Sequence, residues 1–246
     1  MKRLLTRLAL GLVVVVVVFV LGGAMYFDSV LKASVESGAP KLTKSEVHLD
    51  AIGLSLVTGS GRAVGFELGN PVGFGSLPAF RCDSTLLNLK PSSLLGDKLV
   101  LNRLNLEAAE VIFEGTLGTN NLQALLANVD AALTNTTGEV APVLGAGRRL
   151  EVHELLILGA KIHVLDPSAE GGRITLDLPE IRLTDLGLEE KGISGGELTR
   201  LVLHQIHERT LTAVAAQLTK QTDRHWDRTG TNHPLFIPPP PPLPPN

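Results

Sequence analysis

Apolar residues recur at every second position through much of the chain, which is the pattern of β-strands with one buried face. The alternation changes phase between Leu49 and Ile52, and this change predicts a β-bulge. Further strands are predicted over residues 64–68, 80–89, 99–106, 111–113, 150–157, 162–164 and 174–183. Because turn-forming residues separate these short runs, the sequence favours a mainly antiparallel sheet.

One strand pattern occurs twice in the chain. At a constant offset of 51 residues, the matched pairs are Leu104 and Leu155, Leu106 and Ile157, Ala109 and Ala160, Val111 and Ile162, and Phe113 and Val164. Within each copy the apolar positions switch between even and odd numbers, which predicts a bulge or tight turn near residues 108–109 and 159–160. The two copies suggest a repeated strand–bend–strand unit.

Two segments have helical periodicity instead. From Asn121 onward, apolar side chains follow the i, i+3, i+4, i+7 spacing of an amphipathic helix. A second helix is predicted to begin at Ser194, whose hydroxyl can cap it while Glu197 reaches back to the backbone, and to end near Leu218. The predicted fold class is therefore α+β, with a curved, mainly antiparallel sheet and two amphipathic helices.

The N-terminus carries the strongest compositional signal, a run of twenty uncharged residues over 8–27. As a helix this run would cover roughly 30 Å, the thickness of a bilayer core, so it predicts a single transmembrane helix. Lys2, Arg3 and Arg7 precede the run and favour a cytoplasmic N-terminus. A cleaved signal peptide, with a cut after the small residues near Ala24, is the alternative, and both interpretations export the chain from residue 28 onward.

These features divide the chain into three parts. Residues 1–27 form a cytoplasmic stub and the membrane span, residues 28–218 an exported β-rich domain, and residues 219–246 a polar linker with a proline-rich tail. Proline fixes φ and lacks an amide donor, so the tail is predicted to be extended polyproline II. Such a tail can dock into an aromatic-lined groove of a partner, or it can act as a stiff spacer.

Composition excludes some classes of function. With a formal net charge of −3 and 4% aromatic residues, the chain has neither the field nor the stacking platforms that nucleic-acid binders use. Cys82 is the only cysteine, so an intramolecular disulfide framework and a zinc site of paired cysteines are excluded.

Two groups of residues invite a chemical interpretation. Ser194 stands in a G-x-S-x-G pattern that is typical of a nucleophilic serine, but the predicted capping box already explains it. His204 and His207, followed by Glu208, could share a helix face and hold a metal, although polar helix surface explains the spacing equally well. We therefore expect no enzyme activity, no catalytic or metal-binding residue and no cofactor.

The order of several short motifs resembles the N-terminal region of AsmA-like proteins of the bacterial cell envelope. They follow the basic N-terminus and the apolar run and lie at residues 69–74 (GNPVGF), 91–95 (PSSLL), 104–113, 160–162, 174–176 and 183–187, before the closing helix. The resemblance covers roughly residues 1–218. It implies an anchor in the inner membrane, a periplasmic β-rich body, and membership of a group whose curved sheets form apolar grooves that carry lipid. About ten strands at about 4.8 Å each are too few to bridge an envelope alone.

The expected function follows from the apolar side of this sheet. We expect it to form a groove that binds or helps to transfer phospholipid, with these residues on its surface: Leu104, Leu106, Val111, Phe113, Leu155, Ile157, Ile162 and Val164. The alternative is a non-catalytic, membrane-tethered scaffolding or assembly subunit that recruits copies of itself or an envelope protein by strand addition. Both functions place the protein at the inner membrane, with the bulk of the chain in the periplasm.

Overall fold

The computed structural model describes residues 28–135, 148–165, 173–189 and 191–229, with side chains described as far as residue 220 except that of Asn135. In this part of the chain a nine-stranded mixed sheet is combined with three α-helices, so the fold is α+β. The expected cytoplasmic stub and membrane span (residues 1–27), the alternative cleavage site and the proline-rich tail lie outside the described residues.

Helix α1 covers residues 28–43. The strands are β1 (Val47–Leu54), β2 (Ser60–Leu68), β3 (Phe80–Leu89), β4 (Lys98–Glu107), β5 (Glu110–Phe113), β6 (Arg149–Leu158), β7 (Lys161–Leu165), β8 (Arg173–Asp177) and β9 (Ile181–Leu186). Two further helices are α2 (Asn121–Asn135) and α3 (Gly195–Thr229), and a short 3-10 helix covers Pro91–Leu95.

The sheet is built from long bent strands laid side by side. Strand β1 forms one edge and pairs with β2, which pairs with β3. Strand β3 pairs with both β4 and β5, which follow one another along the chain across a bend. Strands β6 and β7 are joined by a similar bend, and they pair with β4 and β5, respectively. Strands β9 and β8 complete the opposite edge. Helix α2 connects β5 to β6, as a crossover between parallel strands requires.

The structure corrects the expected fold class in three respects. The sheet is mixed, because β4 pairs with β6 and β5 with β7 in parallel. Three α-helices are present instead of two, since α1 precedes the first strand. Among the described residues, no helix combines the length and the apolar character that crossing a membrane requires. This finding conflicts with the expected fold class, which included an N-terminal transmembrane helix.

The repeated sequence unit has a direct structural counterpart. The two copies lie next to each other as parallel strands in register, so that Leu104 is paired with Leu155 and Val111 with Ile162. The predicted bends are confirmed, because Ala108 and Gly159 both have left-handed backbone conformations, with φ of 50° and 62°. Equivalent residues of the repeat thus form continuous apolar rows across the sheet.

The bulge predicted between Leu49 and Ile52 is wrong. Strands β1 and β2 keep one register from Val47 to Leu54 without an inserted residue, although Asp50 and Gly65 are not paired. The phase change is accommodated opposite Asp50, where Gly65 adopts φ of 65° and a Cβ would come within 2.0 Å of the Asp50 carboxylate. The change in phase of the apolar alternation is therefore accommodated by a local backbone distortion at a glycine and not by an inserted residue.

Two element boundaries also differ from the expectation. The strand predicted over residues 174–183 is divided into β8 and β9, because Leu178 and Pro179 turn the chain at the bend. Helix α3 continues to Thr229, well beyond Leu218, so the first part of the expected polar linker is helical.

One hydrophobic core lies between the sheet and the helices. Side chains from the strands, from α2 and from α3 belong to a single buried cluster. The other face carries charged pairs, with Glu154 accepting hydrogen bonds from Arg103 at 2.7 Å and from Arg182 at 2.5 Å. It also carries the apolar side chains of Ile112 and Leu156, which are buried but lie outside the core cluster. This division follows the period-two pattern of the strands.

Candidate functional site

The eight residues predicted to line an apolar groove lie together on the core side of the sheet. Five of them have at most 1% of their surface exposed, and these are Val111, Phe113, Leu155, Ile157 and Ile162. Leu104, Leu106 and Val164 are half-buried and are packed against the same cluster. The sequence thus located the apolar face correctly, but at these positions the face is not open.

The chain itself covers this face. Helix α2 contributes Leu122, Leu125 and Val129 to the buried cluster, and helix α3 contributes Leu203 and Ile206. The two helices also contact each other, and Arg200 of α3 binds Asp130 of α2 at 2.5 Å. A lipid could reach the predicted groove residues only if these helices moved away from the sheet.

Ser194 serves as a helix cap. Its hydroxyl oxygen accepts a hydrogen bond from the Glu197 amide at 3.1 Å, and its own amide donates to the Glu197 carboxylate at 2.6 Å. This reciprocal pair is the capping box predicted from the sequence. The hydrogen bond from the Ser194 amide, together with nearby Arg149, lowers the pKa of Glu197, so the cap stays ionised.

The two histidines of α3 do not form a metal site. His204 is exposed, whereas His207 is buried and its Nε2 has no hydrogen-bond partner. Burial lowers the pKa of His207, partly offset by the Glu208 carboxylate, so the neutral form is favoured. No cluster of three or more potential metal-ligating side chains occurs among the described residues.

The motif at residues 69–74 has a structural explanation. Asn70 accepts a hydrogen bond from the Asn121 side chain at 2.8 Å and donates to the Glu114 carboxylate at 3.1 Å. Asn121 also donates to the Ile112 carbonyl at 2.7 Å, and Glu114 accepts from the Gly75 amide at 2.9 Å. The motif therefore ties its loop to the end of β5 and the start of α2.

One edge of the sheet is closed by α1. Three of its side chains, spaced four residues apart on one helix face, bind the backbone of the edge strand β1. Asp28 accepts from the Leu54 amide at 3.0 Å, Lys32 donates to the Asp50 carbonyl at 3.0 Å, and Glu36 accepts from the Leu49 amide at 3.1 Å. These contacts occupy groups that another strand would need for pairing.

The opposite edge, formed by β8 and β9, has no such cover among the described residues. No strand and no described helix side chain binds its outer backbone groups. Charged and polar residues alternate along it, including Arg173, Thr175 and Asp177. This edge is the one at which a partner strand could be added.

The loops at one end of the sheet form a distinct surface, which we name the loop end and define by the described residues 55–59, 91–97, 187–189 and 191–193. The first two loops are in contact, since the Leu89 amide donates to the Gly59 carbonyl at 2.7 Å and a Cβ on Gly59 would meet the Pro91 ring at 3.1 Å. Lys98 reaches the third loop and donates to the Glu189 carbonyl at 3.2 Å.

Arg148 holds the second loop in place. Its guanidinium donates to the carbonyl oxygens of Ser93 at 2.8 Å and Leu94 at 2.9 Å, and also to that of Gly96. The last carbonyls of the 3-10 helix are thereby satisfied. Each loop of the loop end is thus fixed by specific hydrogen bonds.

Large apolar side chains project from all three loops. The exposed fraction is 82% for Val57, 96% for Leu95 and 52% for Leu188, and Leu56 is exposed as well. Helix α1 reaches the same end, because Asp28 caps the Leu54 amide next to the first loop. The uncharged run at residues 8–27 therefore joins the fold at the loop end.

A second surface feature lies at the opposite end of the sheet. An open crevice of about 640 Å³ lies between the end of α1 and the first strands, and it is lined by side chains that include Glu36, Lys44, His48 and Glu67. Glu67 is paired with Arg81 at 2.8 Å, and Glu36 is already bound to β1. Its charged groups are thus largely engaged within the protein.

Together, the fold and the site define a class of protein: an α+β domain with a mixed, bent sheet, a closed core and apolar loops at one end. No family model matches the chain, and no curated protein matches it in sequence. The likeness of its motifs to AsmA-like proteins remains a prediction from the sequence.

Proposed function

We propose that this protein acts by binding at a membrane surface, without covalent chemistry, as a component of the cell envelope facing the periplasm. The observation that carries the proposal is the position of Asp28. The residue directly after the twenty-residue uncharged run is bonded to Leu54, so the run leaves the domain at the loop end. Burying such a run in lipid removes a large apolar surface from water.

Lipid binding in the predicted groove is the less favoured form of this proposal. Ile157 and Ile162 are covered by the chain's own helices, so an acyl chain would have to displace α2 or α3. Native mass spectrometry of the detergent-solubilised protein addresses this form separately. Retained phospholipid would support an opening of the core, and its absence would leave membrane-surface binding as the function.

Vesicle flotation of the full chain tests the proposal. Purified protein is mixed with phosphatidylcholine vesicles during detergent removal and centrifuged through a density gradient. We expect the protein to float with the vesicles, and a variant with aspartate at Val14, Val16 and Val18 to remain at the bottom, because charges oppose burial in lipid. Wild-type protein that stays at the bottom would contradict the proposal.

The free edge of β8 and β9 favours a second function, the recruitment of a partner strand by a scaffolding subunit. Two copies standing with the loop end on one membrane cannot pair antiparallel through this edge, because that pairing would turn their loop ends in opposite directions. The partner is therefore a strand of another envelope protein.

Photo-crosslinking tests the scaffolding function. A photoreactive residue replaces Thr175 or Thr184 on the free edge, and His48, on the edge covered by α1, provides the control. Discrete adducts from the free edge alone are expected in cells. Equal adducts from both edges, or none from Thr175 and Thr184, would contradict a scaffolding role.

A further inference from the structure

We infer that the loop end enters the lipid interface, so that the sheet stands with its strands pointing away from the membrane. The inference rests on the proposed function and adds the partner surface, a lipid bilayer, and the residues that contact it. Its basis is the apolar side chains of Val57, Leu95 and Leu188, which extend from three separate loops at the end where the apolar run begins.

Exposure of these side chains is not explained by the fold. The loops are held by backbone hydrogen bonds and by Arg148, and none of these bonds needs an apolar side chain at the tip. Exposed leucine and valine side chains are ordinary on a protein surface, and the opposite end of the sheet exposes Val72, Leu77 and Leu117 as well. The loop end differs from it in being the end at which the uncharged run joins the fold. Continuity with residues 8–27 identifies lipid as the cover.

The charges of the loop end point to the same kind of surface. Charges of both signs occur on or beside the three loops. The exposed ones are Lys90, Arg149, Lys191, Asp97, Glu189 and Glu197, and the sequence places one more acid, Glu190, in the third loop. A surface that binds anionic lipid by attraction would carry an excess of lysine and arginine. Apolar insertion is therefore the dominant interaction, and neutral phosphatidylcholine provides a sufficient membrane.

The opposite end of the sheet provides a matched control. Val72 is 97% exposed, as fully as Leu95, but it lies in the loop that follows β2. That loop is held at the opposite end by the hydrogen bond from Asn70 to Glu114, which follows β5. Residues 98–113 connect the two ends of the sheet, and β4 alone, at about 3.3 Å per residue, extends for roughly 30 Å before the bend. A probe at Val72 is thus far outside the reach of lipid acyl chains.

Depth-dependent fluorescence quenching tests the inference on the full chain. Single variants Val57→Cys, Leu95→Cys and Val72→Cys are labelled with an environment-sensitive dye and reconstituted in vesicles with brominated acyl chains. Cys82 is 1% exposed, and wild-type protein treated with the same dye is the control for labelling at this position. We expect quenching about twofold or more stronger at positions 57 and 95 than at position 72.

The outcomes separate the inference from the proposed function. If the protein floats with vesicles and no label is quenched, or if position 72 is quenched as strongly as position 95, the loop end is not the lipid contact. A blue shift at positions 57 and 95 without quenching by brominated lipid would mean that a protein covers the loop end, and it would overturn the inference. Failure to float at all would refute the proposed function itself.

Discussion

Ile157 and Leu158 are neighbours in the sequence on opposite faces of β6. Ile157 is 1% exposed in the core, and Leu158 lies on the open face of the sheet. We expect Ile157→Ala to lower the free energy of unfolding by about 2–5 kcal/mol, because it leaves a cavity between the sheet and the helices. Leu158→Ala is the control and should cost less than about 1 kcal/mol.

Urea unfolding in detergent, followed by circular dichroism, measures the difference between these two variants. Similar losses for both would mean that the helices do not seal the face on which Ile157 lies. The prediction therefore tests directly whether the predicted groove residues are core residues.

His207 gives the fold a dependence on pH. Burial lowers the pKa of His207 in the folded state, so the unfolded chain binds a proton more readily. The stabilising contribution of neutral His207 is fully present above about pH 6.5 and is lost as the pH falls below that value. Loss of stability on acidification is the expected sign.

The measurement is the change in Tm between about pH 7.5 and about pH 5.5. His207→Leu should reduce the fall in Tm that the wild type shows, because no buried group remains to be protonated there. His204→Leu, at an exposed position on the same helix, should leave the fall unchanged. An unaltered fall in the His207 variant would assign the pH dependence to other groups.

Among the elements, the two bends of the repeat allow a reciprocal test. Ala108 and Gly159 occupy equivalent positions and both are left-handed, but only Ala108 carries a Cβ. A Cβ in this conformation costs roughly 1–2 kcal/mol, partly offset by the lower entropy of the unfolded chain. We expect Ala108→Gly to stabilise the protein and Gly159→Ala to destabilise it, each by about 0.5–1 kcal/mol.

Space does not limit the Gly159 substitution, since nothing lies within 4 Å of the added Cβ. Gly118→Ala provides the control, because it too meets open space and its φ is not in the left-handed region. Chemical denaturation of the three variants is sufficient. Opposite signs at the two bends are predicted, and equal signs would contradict the equivalence of the repeat units.

The strands show how far local sequence determines this fold. Alternation predicted β3 over residues 80–89 as it is observed, because the pleat alone sets which side chains share a face. The repeat predicted both bends but not that its copies would pair in parallel, since pairing partners are not encoded in the spacing of one strand. Helix α1 was missed because Gly38 and Pro40 interrupt an otherwise ordinary helical segment.

The candidate site depended more on tertiary structure. The sequence located the apolar residues of β4 to β7 but could not show that α2 and α3 would cover them, because coverage is set by how helices pack on the sheet. Val57 and Leu95 were not predicted as surface residues either. In the sequence, each is only an apolar residue within a turn segment. The structure is needed to show that these turns lie at the same end of the sheet.

At the scale of the whole molecule, the two ends of the sheet differ. The loop end receives the apolar run, whereas the opposite end has the open crevice and the network around Asn70. Both ends expose large apolar side chains, with Leu95 at the loop end and Val72 at the other. A domain that only packed its own core would not need this asymmetry. We interpret it as the orientation of the protein on a membrane, with the closed core as a rigid support.

Amide hydrogen exchange of the full chain, compared between detergent micelles and lipid nanodiscs, measures which end of the sheet meets the membrane. We expect slower exchange in nanodiscs for residues 55–59, 91–97 and 187–193, with residues 69–79 unchanged. Slower exchange confined to residues 69–79, or no difference at the loop end, would contradict a membrane-facing loop end and with it the orientation proposed for this protein.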